Sequence, residues 1–103
     1  MAGDKEEAAA AQADVIRAVL GQDAETFKRT KLGQYIYNRI ADEYEALLDQ
    51  LIIADPDDAK EQRRLRHEIY MRTALPKFIE EAIQSGHAAE RNIKQADSQQ
   101  HDY

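Results

Sequence analysis

The residues of this chain that could do chemistry are few, and their spacing excludes the familiar arrangements. His67-Glu68 begins like the zinc-protease signature HExxH, in which two imidazoles one helical turn apart hold a metal and the glutamate activates water. The second histidine would have to stand at position 71, and Met71 is there instead. His87 and His101 are distant from each other and from His67 along the chain, so no preset metal site is expected. Asp57-Asp58 and Glu80-Glu81 could imitate a general acid and base. Adjacent helical residues point about 100° apart, however, and do not share one site. No glycine-rich phosphate loop, no GxSxG elbow, no serine placed with a histidine and an acid, and no cysteine occurs. Catalytic residues, metal ligands and cofactors are therefore not expected, and the chain reads as a non-enzyme.

Lys60, Arg63, Arg64 and Arg66 form the one basic cluster. On a helix face they could contact phosphates, although pairing with an acidic helix of the same chain is the simpler role. Fourteen Lys and Arg against twenty Asp and Glu leave a net charge of −6, which repels bulk nucleic acid and anionic membrane. Residues 32–55 hold one base, Arg39, against Asp42, Glu43, Glu45, Asp49 and Asp55, while 56–86 are balanced. The acidic row Asp42, Glu43, Glu45 and Asp49 could also imitate a run of phosphates. Val15 to Ile40, with Lys28, Arg29, Lys31 and Arg39, loosely resembles a helix-turn-helix but lacks its tight turn and spacing.

These side chains must be positioned by helices. With 103 residues, 43% of them hydrophobic, the chain can close one small core and no more. There is no apolar run long enough to cross a membrane, and Met1 to Asp4 open no secretory signal, so a cytoplasmic location is expected. From Lys5 strong helix formers predict a first helix over 5–20, with Gly21 as its C-terminal cap and a frayed, alanine-only first half. Asp23 then caps a short turn to Thr30, anchored by Phe27. Leu32, Ile36, Ile40, Tyr44, Leu47 and Leu51 mark an amphipathic helix. It stops at Asp55-Pro56, where Asp55 is placed as a cap and Pro56 as the first residue of the next helix. That helix carries Leu65, Ile69, Arg72, Pro76, Ile79 and Ile83, bends or breaks near Pro76, and is capped by Gly86. Beyond Gly86 only Ile93 is bulky, and a frayed helix or a disordered tail is expected.

The fold class expected is thus all-α. An antiparallel hairpin of about 31–54 and 56–85, kinked near Pro76, packs with one or two shorter N-terminal helices. The chain divides into an N-terminal helix at 1–22, a helical core at 23–86 and a tail at 87–103. Folding about Asp55 and Pro56 pairs residues whose numbers sum to about 111. Leu47 then meets Leu65, Ile40 meets Met71, Glu45 faces Arg66, Asp49 faces Arg63, and His67 meets Tyr44. Tyr37, Leu48 and Ile52 fall off the matched stripe and make a candidate interface for a second copy or another protein.

Over residues 23–86 the chain resembles small uncharacterised helical proteins of tailed bacteriophages and prophages. The resemblance is carried by a short helix with an aromatic, by Leu32, Gly33, Tyr35 and Ile36, by the Asp55-Pro56 turn, and by Ile79, Ala82, Ile83 and Gly86. Pro76-Lys77-Phe78 departs from the unbroken helix more usual there. The resemblance implies a phage gene product without an assigned activity, often encoded among packaging and head genes. The surplus apolar faces and the missing catalytic groups point to a homo-oligomer or a protein that acts on a phage or host protein in the host cytoplasm. The alternatives are a nucleic-acid accessory using Lys60 to Arg66 and an acidic inhibitor of a host DNA-binding protein.

Overall fold

The computed structural model describes residues 2–100, of which 94% lie in three helices and none in a strand. The all-α class holds. The helices are α1 (Ala2–Arg29), α2 (Lys31–Ile53) and α3 (Ala59–Gln100). Asp4 in the first turn of α1 and Lys28 and Arg29 in its last turn complement the helix dipole. Between α1 and α2 the chain leaves helical geometry at Thr30, whose φ of −69° and ψ of 157° let its hydroxyl accept the Gly33 amide at 2.9 Å.

Neither glycine assigned as a cap ends a helix. No glycine among the described residues has a positive φ, and both Gly21 and Gly86 are interior. The turn expected from Asp23 to Thr30 is the end of α1, so one 28-residue helix replaces the one or two shorter ones. The segment from His87 to Gln100 continues α3 as helix; His101 lies outside the described residues. The cause is tertiary. A Cβ built on Gly21 would stand 2.8 Å from the Gly86 Cα, so the two backbones touch where each has no side chain. Mutual contact keeps both helices running past residues that, by propensity alone, would stop them.

The turn also differs from expectation. Pro56 is not the first residue of α3. Asp55, Pro56, Asp57 and Asp58 form a β-turn closed by the Asp58 amide on the Asp55 carbonyl at 3.1 Å, with proline at its second position. The Asp55 carboxylate accepts the Asp57 amide at 2.9 Å, and it is Asp58 that caps α3, accepting the Glu61 amide at 3.1 Å. Pro76 lies within α3 without ending it, which overrides the break expected there.

Two compact units divide the chain, one from α1 to Phe27 together with α3 from Ile79 onward, the other from Lys28 to Phe78. In the first, the buried positions are small or aliphatic: Ala18, Gly21, Ile83, Gly86 and Ala89. They recur at three-residue steps, Ala18 with Gly21 on α1 and Ile83, Gly86 and Ala89 on α3. Asp14 opposite Asn92 and Glu25 opposite His87 show that the two helices run antiparallel. In the second unit, α2 and the first half of α3 bury Leu47 and Leu65, the latter only 1% exposed.

Candidate functional site

In the second unit Arg72 rises from α3 and bonds Glu68 one turn back, while its guanidinium lies 3.8 Å from Glu43 of α2. Glu43 is in turn 3.7 Å from Arg39, which donates to the Tyr35 hydroxyl at 3.2 Å. Beside this chain of charges runs a shallow groove of about 250 Å³, lined by Tyr37, Ile40, Ala41 and Tyr44 of α2 and by Arg72, Thr73 and Pro76 of α3. Its walls are apolar, and its one cation already faces two carboxylates. The groove can hold apolar side chains.

The Glu43–Arg72 ion pair joins α2 to α3. The expected charge pairs do not form: among the described residues no ion pair joins Glu45 to Arg66 or Asp49 to Arg63, and His67 makes no hydrogen bond to Tyr44.

Tyr37, Leu48 and Ile52 fall within about 60° of one another around α2, on one face of that helix. Tyr37 and Leu48 are half-buried at the rim of the α2 seam, with the Lys28 ammonium 5.7 Å from the Tyr37 ring centroid, while Ile52 is 79% exposed. Within the basic cluster, Arg64 is engaged by Glu61 of the same helix, at 2.9 Å from Nε and 2.5 Å from Nη2. That hydrogen bond holds the Glu61 carboxyl below its ordinary range. Arg63 and Arg66 line a second shallow depression with Pro56, Ala59 and Gln62, and Lys60 is exposed. Among the described residues no three His, Asp or Glu side chains gather where a metal could be held, and no helix is long and apolar enough to cross a membrane.

Two features lay outside the sequence reading. One is the Gly21–Gly86 contact; the other is its polar flank, where His87 Nε2 lies 2.5 Å from Glu25 Oε1 and Gln22 donates to Glu90 at 3.3 Å. Their signal was the spacing of small residues, Ala18 with Gly21 on one helix and Ala82, Gly86 and Ala89 on the other. Comparison with known protein families, with curated proteins and with solved structures finds no match.

Proposed function

We propose that this chain is a non-enzymatic helical interaction protein, acting through protein–protein contacts of apolar helix faces in phage head assembly or DNA packaging. One observation carries the reading. Among the described residues the buried core holds only Leu47, Leu65 and Ile83 as large side chains, while bulky residues on all three helices, among them Leu20, Tyr35, Ile53, Tyr70 and Phe78, are 55–84% exposed. Apolar surface on that scale is what a binding protein presents to its partner. Tyr37, Leu48 and Ile52 along the rim of α2 are the surface offered to a phage or host protein. The phage setting rests on the resemblance of residues 23–86. An antiparallel hairpin of α2 and α3, bent at Pro76, is the packing that belongs with this reading, supported by the Glu43–Arg72 ion pair.

Arg63 and Arg66, which have no acidic partner among the described residues, favour a nucleic-acid accessory as the second reading. Salt separates the two. Light scattering over a concentration series at low and high salt is expected to show association that salt barely changes. A monomer that binds duplex DNA, with affinity falling steeply with salt and lost on reversing Arg63 and Arg64 to Glu, would overturn the protein–protein reading.

A further inference from the structure

We infer that copies of this chain join head to tail, the acidic outer face of α2 in one copy lying antiparallel on the basic outer face of α3 in the next. The inference rests on the interaction reading above and names one partner and one contact for it. On α2, Asp42, Glu45 and Asp49 lie within about 60° of one another, on the side away from the buried Leu47, and all three are exposed. On α3, Arg63, Arg66 and Tyr70 likewise fall within about 60° of one another and are exposed. The acids of that stretch, Glu61 and Glu68, stand on the other side of the helix. Both rows step by three residues and then by four. Among the described residues no hydrogen bond or ion pair engages the side chains of Asp42, Glu45, Asp49, Arg63 or Arg66. The opposite charges thus match in spacing but do not meet within the chain. Each copy carries each row once, on different helices, so a contact between them is heterologous and repeats from copy to copy.

Shape gives the direction. Arg63 and Arg66 line a depression of about 340 Å³ with Pro56, Ala59 and Gln62. When Asp49 meets Arg63 and Glu45 meets Arg66 in an antiparallel pair, Asp42 comes to the Tyr70 hydroxyl. The same register brings Ile53, 84% exposed at the end of α2, to Ala59 and the depression. A parallel pair would carry Ile53 to Ala74 instead and leave the depression unfilled. Exposed ion pairs add little affinity, so here they select the faces that meet while Ile53 and Tyr70 supply apolar area, which keeps the response to salt small.

The full-length chain tests this by charge exchange. Sedimentation velocity of the wild type is expected to give a mean mass that climbs with concentration past twice the 11.8 kDa chain mass. Arg63→Glu with Arg66→Glu, and separately Glu45→Lys with Asp49→Lys, should each hold the single chain mass, with helical circular dichroism unchanged. An equimolar mixture of the two should recover the wild-type association, since each supplies the charge that the other lost. Because the chain has no cysteine, Asn38→Cys and Ala74→Cys give a second readout that leaves every charge in place. A short bismaleimide should join these two variants when mixed and neither to itself. Association that survives both reversals, or a mixture that fails to recover it, overturns the contact and leaves the interaction reading to other faces. Coupling of Asn38→Cys to Ala59→Cys rather than to Ala74→Cys overturns the antiparallel direction. A wild type that stays monomeric at every concentration overturns the proposal, and if that monomer binds duplex DNA through Arg63 and Arg66 the interaction reading falls with it.

Discussion

A methyl group at Gly21 would stand 2.8 Å from the Gly86 Cα and 3.0 Å from the Ala82 carbonyl oxygen, and one at Gly86 would stand 3.1 Å from the Arg17 carbonyl oxygen. These are backbone atoms of a neighbouring helix, which cannot rotate out of the way. In an open helix, glycine to alanine stabilises by about 1 kcal/mol. Here the sign should reverse: Gly21→Ala is expected to destabilise by about 1–3 kcal/mol, because the helices must part to admit the methyl group. Urea unfolding measures this, and unchanged or raised stability would show that the seam yields freely. Gly86→Ala should behave alike, and the double variant should cost less than the two together, since the first substitution has already opened the contact the second would strain. The polar pairs on its flank, Glu25 with His87 and Gln22 with Glu90, lie across the same seam and are partly exposed, so they fix its register more than its strength.

Helix ends and helix interiors make separate demands at the level of the element. The start of α3 rests on the Asp58 carboxylate, which satisfies the Glu61 amide, and Pro56 only shapes the turn before it. Asp58→Ala is therefore expected to cost about 1 kcal/mol, with Pro56→Ala costing less, as read from paired thermal unfolding curves. Equal costs would return the capping role to the Asp55-Pro56 step. Further along α3, Pro76 withholds an amide from the helical ladder and crowds the turn before it. Proline in a helix interior is about 3 kcal/mol worse than alanine. Its ring, though, is half-buried against the groove lined by Tyr37 and Ile40. The balance predicts that Pro76→Ala stabilises the chain by about 1–2 kcal/mol. A loss of stability on chemical unfolding would mean that the ring's place in the groove outweighs the missing hydrogen bond.

The whole molecule is two small units that share one helix, and each has a core of only a few residues. Leu65, 1% exposed, is the most completely buried side chain of the Lys28–Phe78 unit. Leu65→Ala should cost that unit about 2–5 kcal/mol, since neighbours around so small a core have little freedom to close the cavity. Two units with separate cores need not open together. Hydrogen exchange on the variant is expected to show α2 and the first half of α3 losing protection, while α1 and the α3 residues from Ile79 onward keep theirs. Uniform loss across all three helices would instead mean that the shared helix couples the units into one cooperative block.

Helix content was legible in the residues because it depends on local spacing. The stripe from Leu32 to Leu51 placed α2 within a residue or two of its observed ends, and the absence of β-type alternation settled the all-α class. Charge, composition and missing motifs were equally local, and they pointed away from catalysis before any geometry was known. What lay beyond the sequence was every decision made by a distant partner. Gly21 and Gly86 read as stops because an isolated helix has no reason to continue through glycine. Sixty-five positions apart in the chain, they become the contact that carries both helices onward. The register of α2 on α3 is beyond the sequence for a similar reason. Periodicity defines which face turns inward, but any four-residue slide preserves that face, so only the turn geometry and the Glu43–Arg72 pair select among the possibilities.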